Sequence, residues 1–411
     1  MAFDNGAVFL GKRTRTTPAV AISLAMRAGS ICDPDDAAGA TWLLSRVIDR
    51  GTATRSALDI AEELDNRGIS LTIAVTRHIL SLVCTCLAED FEPVFSLLAE
   101  MLMQPSLPED EIATRKGEVV TAIRQDEDNP AVRATESLMA LLYPDGHPYG
   151  RPTKGAIDVV ESLTRERLLR LHADRFAPGE LTAVIVGDVE GDRARDLVER
   201  ACGDWRKPRP APVPLPAPAT RSSRRRLVIP MMNKAQTEIA YGFTTIRRAD
   251  PAYEALRLMN NVLGQYALGG RLGDSIRERQ GMAYYVSSAV DPNVIEGPLL
   301  IRAGVGPADV DRAVASIDEE LTRLVRDGLT AKEIDDSRRY LIGSMPRALE
   351  TNAGIATFLQ AAEFFGLGTD YDVRTPELLR EVTLDEVNTV ARRVIDPARA
   401  TLVIAGPYSE T

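Results

Sequence analysis

Two stretches of the chain share one pattern: Leu163–Gly187 reads LTRERLLRLHADRFAPGELTAVIVG and Val382–Gly406 reads VTLDEVNTVARRVIDPARATLVIAG. They align without a gap, since Thr383 lies 219 positions after Thr164 (383 − 164). In each stretch a threonine suited to cap a helix precedes an amphipathic segment, a proline ends that segment, and a β-branched run follows. The chain therefore consists of two related halves, each of α+β type.

The first half alternates predicted strands and helices. Its hydrophobic pattern predicts strands at 19–28, 71–75 and 79–87, and helices at 37–50, 56–66, 91–104 and 108–128. Gly68 is placed to end the second of these helices, and Pro108 to begin the fourth. The second half repeats the alternation from Leu227 onward.

A proline-rich segment separates the halves. Six prolines alternate there with other residues: Pro208, Pro210, Pro212, Pro214, Pro216 and Pro218. Such a segment is extended and semi-rigid, so we predict an N-terminal domain at 1–205, a linker at 206–226 and a C-terminal domain at 227–411. Aromatic-lined recognition domains also bind proline-rich segments, but the position between two repeats favours a linker. The basic run 221–226 is predicted as its solvated end.

Composition is that of a soluble acidic protein. The 411 residues are 45% hydrophobic and 26% charged, with a formal net charge of −10. This balance disfavours nucleic acid or an acidic membrane surface as the main partner. The N-terminus lacks a basic lead followed by a long apolar core, so we expect a cytoplasmic protein. Its cysteines are expected to be reduced packing residues: Cys32, Cys84, Cys86 and Cys202.

The segment 268–284, LGGRLGDSIRERQGMAY, predicts a helix that leads into a strand. Gly269 and Gly270 suit a turn with unusual backbone angles, and Gly281 suits a left-handed cap. Arg277 then ends the helix, and Tyr284 begins the strand. A guanidinium and a phenol placed in this way can both donate hydrogen bonds to a substrate carbonyl or a developing oxyanion.

This order of elements, together with the turn at Asn129 and Pro130 and the loop HPYGRP at 147–152, resembles the pitrilysin and insulinase family, which includes the mitochondrial processing peptidases. The resemblance covers nearly the whole chain. It implies two homologous domains, each a mostly antiparallel sheet packed with helices. In the family, two such pairs of domains close like a clam shell around a peptide, and one pair carries zinc.

The zinc motif of the family is absent. There, H-x-x-E-H precedes a Gly-Thr pair, whereas the segment that precedes Gly51 and Thr52 here is WLLSR, residues 42–46. Zinc requires imidazole, carboxylate or thiolate ligands, and Trp42, Ser45 and Arg46 supply none. We therefore predict no metal site and no cofactor in this chain.

The other expected ligands are absent as well. The two glutamates of the family's later helix correspond to Arg115 and Ala122. The three histidines, His78, His147 and His172, are spread over separate elements, and we expect surface or loop positions for them. A cryptic site built from His78 and scattered carboxylates is the alternative, although no spacing supports it.

The resemblance assigns Arg277 and Tyr284 to the family's arginine and tyrosine pair, which reaches a zinc site from the C-terminal side and binds substrate near the scissile bond. The resemblance also relates residues 264–270 to a glycine-rich loop that guides substrate in the family. The alternative is that these residues form only a turn that leads into the helix. For Arg277 and Tyr284, the alternative is that neither residue has a functional role. Arg277 would then be a surface residue paired with Glu278 or Asp274, and Tyr284 an ordinary aromatic residue of the strand. Tyr285 is expected in the core.

Two functions follow. We expect a non-zinc subunit of a hetero-oligomeric metallopeptidase, acting on unstructured peptides beside a homologous subunit that has H-x-x-E-H and zinc. The alternative is a catalytically inactive structural or peptide-binding protein of the same fold.

Overall fold

The computed structural model describes residues 1–219, 222–265 and 269–409. Each half of the sequence contributes one five-stranded sheet. The first sheet contains β1 (Val8–Arg13), β2 (Ala19–Met26), β3 (Thr72–Val75), β4 (Leu80–Leu87) and β5 (Leu181–Gly187). Its spatial order is β1-β5-β2-β4-β3; β1 and β5 are parallel, and every other pair is antiparallel.

The second sheet repeats this topology. It contains β6 (Arg225–Pro230), β7 (Thr237–Thr244), β8 (Ala283–Val290), β9 (Pro298–Val305) and β10 (Thr401–Gly406). Its order is β6-β10-β7-β9-β8, again with one parallel pair, β6 and β10. Identical order and direction in the two sheets confirm the predicted α+β fold of two homologous halves, each built on a mostly antiparallel sheet.

Helices pack on both sheets. The first half supplies α1 (Ala40–Val47), α2 (Ala57–Asp65), α3 (Phe91–Met103), α4 (Glu109–Glu127), α5 (Pro130–Leu142), α6 (Ile157–Ser162), α7 (Arg165–Arg175) and α8 (Gly191–Cys202). The second supplies α9 (Tyr253–Asn260), α10 (Val310–Asp327), α11 (Ala331–Ala348), α12 (Asn352–Phe364), α13 (Tyr371–Glu381) and α14 (Leu384–Val394). The predicted helices and strands of the first half are all present, with shorter ends.

The repeated threonines cap their helices as predicted. The Thr164 side chain accepts a hydrogen bond from the Arg167 amide at the start of α7. Thr383 does the same for α14, and Glu386 completes a capping box there by accepting from the Thr383 amide. Both caps satisfy amide groups that a helix cannot pair internally, so the two copies begin their helices in the same way.

By compactness the chain divides into two units that are not continuous in sequence. Unit 1 comprises Met1–Ile123, Pro152–Pro214 and Pro346–Thr369, and unit 2 comprises Arg124–Arg151, Leu215–Met345 and Asp370–Thr411. The reason is an exchange of helices: α5 packs on β7 and β10, whereas α12 packs on β2 and β5. The continuous boundaries 1–205 and 227–411 follow the duplication and stay a prediction.

Each unit has its own apolar core between sheet and helices. The exchanged helix α12 covers the face of the first sheet that is opposite to this core. There, Ala356 and Leu359 of α12 cluster with Ala21 and Val184. The four cysteines are buried and free. Within the described ranges, no helix combines the length and the apolar character that crossing a bilayer requires.

Candidate functional site

The position of the family's zinc motif lies on α1, in unit 1. Arg46 stacks on Trp42 there, with its guanidinium carbon 4.8 Å from the ring centre, and the Lys154 ammonium lies 5.7 Å from the same centre. The Ser45 hydroxyl donates to the Trp42 carbonyl oxygen at 2.7 Å. Two cations and an indole thus occupy the helical face that would carry two imidazoles and a carboxylate.

Arginine also replaces carboxylate on α4. Arg115 pairs with Glu111 at 3.2 Å and with Glu118 at 2.5 Å. The hydrogen bond from Arg115 lowers the pKa of Glu118, and the positive charges of Arg50 and Arg46 add to this effect. A cationic neighbourhood repels a metal dication, so the residues present do not fit zinc. The described residues contain no group of three histidine, cysteine or acidic side chains arranged to hold a metal ion.

The histidines are more buried than the sequence suggests. His78 and His147 lie in loops as expected, but both are buried, and His172 lies within α7. Burial lowers the pKa of all three, that of His78 to about 4, and nearby Arg77 contributes to the His78 shift. Aromatic packing explains why they are buried: His78 contacts Phe364, and His172 contacts Phe176. The expectation of surface or loop positions is therefore met by the loop positions of His78 and His147, and it is wrong for His172, which is half-buried within a helix.

Arg277 lies on an irregular helix in unit 2. The segment Gly273–Arg279 is π-helical, a conformation found often at functional sites. Gly281, with φ of +64°, reverses the chain, and its amide donates to the Arg277 carbonyl oxygen at 3.0 Å. The left-handed cap predicted at Gly281 is therefore present.

The Arg277 side chain is held only weakly. It is 46% exposed, and its nearest acidic partner, Glu278, lies 3.7 Å away. Asp274, the other acidic residue expected to pair with Arg277, pairs instead with Arg279 at 2.9 Å. An exposed pair at 3.7 Å contributes little, so the Arg277 guanidinium can turn to a ligand at small cost.

Tyr284 is the extra residue of a β-bulge. Ala283 pairs with Val305 and Tyr285 pairs with Gly304, so β8 advances two residues where β9 advances one. A bulge leaves one residue unpaired and redirects its side chain. The Tyr284 side chain is 69% exposed, and it has no hydrogen-bond partner among the described residues. The π-helical segment packs directly on β8, so the predicted pair lies on two adjoining elements.

The bulge also overturns the expectation for Tyr285. In a regular strand Tyr284 and Tyr285 would point to opposite faces, which predicts Tyr285 in the core. Ala283 and Val286 both belong to the core, three positions apart, because the bulge absorbs one residue between them. Tyr285 therefore lies outside the core, half-buried, and its hydroxyl donates to Glu238 at 2.5 Å.

The sequence around Tyr284 and Tyr285 already indicates an irregular strand. Apolar Ala283 and Val286 are separated by two tyrosines, which breaks the alternation of a half-buried strand. The expectation of a regular strand therefore did not include the bulge.

The glycines before the helix differ in role. Gly270 is buried, and its φ lies outside the left-handed range, contrary to the unusual angles expected. It requires glycine for another reason: a Cβ there would lie 2.9 Å from the Gly264 Cα. Gly269 lines a cavity of about 510 Å³ beside Arg271 and Glu333. Residues 266–268, including Leu268 of the predicted loop, and Arg221 of the basic run lie outside the described residues.

Family models match most of the sequence. Residues 8–156 match Insulinase (Peptidase family M16), and residues 162–341 match the Peptidase M16 inactive domain. The chain belongs to the peptidase M16 family. As an M16-fold protein without the zinc motif, it is of the non-zinc type within the pitrilysin and insulinase group.

Relatives and solved structures agree with this membership. The chain is 28% identical to an uncharacterized zinc protease of Mycobacterium tuberculosis over 90% of this chain and 84% of that protein. It is 26% identical to an uncharacterized zinc protease of Bacillus subtilis over 98% of this chain and 97% of that protein. A crystal structure of a peptidase M16 inactive domain from Pseudomonas fluorescens matches with a TM-score of 0.92 at 26% identity, covering 100% of this chain and 98% of that chain.

Proposed function

We propose that this M16 chain is the non-zinc subunit of a hetero-oligomeric metallopeptidase. A homologous partner with an intact H-x-x-E-H motif carries the zinc, and this chain supplies Arg277 and Tyr284 in trans. One contrast supports the proposal. The two donors are exposed and almost without partners, whereas the zinc positions hold Trp42, Ser45 and Arg46.

The chemistry divides between the two chains. The partner supplies the metal and the activation of the nucleophile. The Arg277 guanidinium and the Tyr284 hydroxyl bind the peptide near the scissile bond and donate to the carbonyl oxygen as it gains negative charge. Donors of this kind act most strongly in a site from which water is excluded. No activity is expected of this chain alone.

The proposed substrate is an unstructured peptide, handled in the cytoplasm. An extended peptide can be held by backbone hydrogen bonds, which tolerate many sequences. With a formal net charge of −10 the chain is unsuited to nucleic acid as a general partner, and we propose no membrane partner either.

A mixing experiment tests the proposal. This chain and a homologue from the same genome with H-x-x-E-H are purified separately and assayed alone and together on a quenched fluorescent unstructured peptide. We expect cleavage only in the mixture, with loss on Arg277→Ala or Tyr284→Phe. Arg326→Ala is the matched control, since Arg326 is an exposed arginine of α10 paired with Asp327.

Two results would contradict the proposal. Full activity of the homologue alone, unchanged on mixing, would remove the need for this chain. Full activity of a mixture that contains both substitutions would favour the second function, a structural or peptide-binding protein of the same fold.

A further inference from the structure

Three residues form one row across the second sheet beside the bulge. Gly304 of β9 pairs with Tyr285 of β8 on one side and with Glu238 of β7 on the other. The Tyr285 ring extends over the glycine, and its hydroxyl reaches Glu238 at 2.5 Å. A Cβ at Gly304 would lie 2.7 Å from Tyr285 Cε1 and 1.9 Å from Gln236 Nε2. The contact between Tyr285 and Glu238 therefore depends on glycine at this position.

Glu238 is a firm anchor for this contact. Glu238 is 8% exposed, and both of its carboxylate oxygens accept hydrogen bonds. One accepts from the Tyr285 hydroxyl, and the other accepts from Gln236 Nε2 at 2.6 Å. Losing a hydrogen bond to a buried carboxylate costs more than losing one at the surface. The position of the Tyr285 hydroxyl, and with it the register of β8 against β9, is thus fixed.

The register on the other side of Tyr284 is fixed independently. Ala283 is buried in the core and pairs with Val305. With Ala283 held on one side and Tyr285 on the other, the strand has one residue too many between them. That residue is Tyr284, whose side chain consequently points away from the core.

We propose that Tyr285 and Glu238 are positioning residues, which hold the bulge and thereby direct Tyr284 out of the sheet. Their effect on peptide cleavage rests on the proposed function of Tyr284. Their effect on the strand does not, so the two can be tested separately.

Hydrogen exchange tests the strand in this chain alone. Tyr285→Phe removes one hydroxyl, and we expect amide exchange in peptides covering 282–288 to accelerate about tenfold, as loss of a hydrogen bond to a charged group predicts. Ser287→Ala is the control, because Ser287 lies on the same strand and its hydroxyl makes no hydrogen bond among the described residues. Unchanged exchange in Tyr285→Phe would overturn the proposal.

A second variant tests the anchor. Glu238→Ala should accelerate exchange in the same peptides. The double variant should exchange no faster than Glu238→Ala alone, because Glu238→Ala already removes the bond that Tyr285→Phe removes. Additive acceleration would contradict a shared bond. Tyr285→Phe decides the question if Glu238→Ala does not fold.

Activity of the mixed enzyme then distinguishes an effect of Tyr285 on the position of Tyr284 from an effect on the stability of the chain. Tyr285→Phe should lower kcat several-fold when Tyr284 is present, and have no further effect in a Tyr284→Phe background. Equal losses in both backgrounds would overturn the positioning role. If Tyr284→Phe alone leaves activity unchanged, the proposed function fails, whereas the exchange result still decides the role of the bulge.

Discussion

The guanidinium carbon of Arg46 lies 4.8 Å from the centre of the Trp42 ring, four residues earlier on α1. These are the two positions at which the zinc-binding pattern H-x-x-E-H has histidine. Residues four apart in a helix share a face, which is why the pattern can hold a metal and why Trp42 and Arg46 can stack. The same helical geometry therefore supports a cation–π contact in place of a metal site.

We predict that the isolated chain binds no zinc. Metal analysis after dialysis should give well below one zinc per chain, and neither added zinc nor EDTA should shift Tm, since the described part of the chain holds no site that would couple metal binding to folding. The homologue with H-x-x-E-H is the control and should contain zinc. One zinc per chain, lost together with stability on chelation, would favour the alternative site at His78, which His78→Ala would then test.

Gly270→Ala should destabilise unit 2. The added Cβ would lie 2.9 Å from the Gly264 Cα and 3.2 Å from the Leu263 carbonyl oxygen, both backbone atoms that cannot turn aside. Overpacking of this kind costs about 1–3 kcal/mol. Gly343→Ala in α11 is the matched control: a Cβ there meets no atom within 4 Å, and alanine favours a helix over glycine. Urea unfolding should show a loss for the first variant and a small gain for the second.

The ion pair of Arg271 and Glu333, beside Gly269, should stabilise unit 2 above pH 4.5. Burial would raise the pKa of Glu333, but hydrogen bonds from Arg271 and Thr330 outweigh it and lower the pKa to about 2. A carboxylate with a depressed pKa in the folded state contributes stability that is lost as pH falls from its unfolded value towards 2.

Glu333→Gln should accordingly cost about 3–5 kcal/mol at pH 7, because the Arg271 side chain, only 11% exposed, loses its counter-charge. Asp336→Asn removes surface pairs with Lys332 and Arg339, which solvent screens, and should cost far less. Equal costs in urea unfolding would show that the Arg271 pair is no stronger than a surface pair.

Mild acid should weaken the fold through the buried histidines. The folded-state pKa of His78, about 4, lies below the ordinary value of 6.5, so the unfolded chain binds more protons between these values. Stability is therefore fully present above pH 6.5 and falls as pH decreases towards 4, by roughly 3 kcal/mol for this residue. His78→Gln should flatten the dependence of Tm on pH between 7 and 5. Parallel curves for the two proteins would contradict the assignment.

The local features of the fold were predictable from sequence, and the long-range ones were not. Thr164, Thr383 and Gly281 act on their immediate neighbours, so their caps follow from residue type and spacing. The exchange of α5 and α12 depends on which sheet each helix packs against. The hydrophobic periodicity of a helix is the same for either sheet, so it does not predict the exchange. The bulge at Tyr284 lies between these cases, since its spacing signal is local but its cause includes Gly304 on another strand.

Arg277 and Tyr284 should affect turnover more than peptide binding. Donors that act mainly on the developing oxyanion should, when removed singly, lower kcat by about 10²–10³-fold with little change in KM. Donors that only hold the peptide should raise KM and leave kcat intact. We expect the first pattern for Tyr284→Phe, which keeps the ring and loses only the hydroxyl, and a mixed pattern for Arg277→Ala, which also removes a charge. Steady-state kinetics of the mixed enzyme, with Arg326→Ala as the control, distinguishes the two. An effect of Tyr284→Phe confined to KM would show that its hydroxyl holds the peptide without stabilising the transition state.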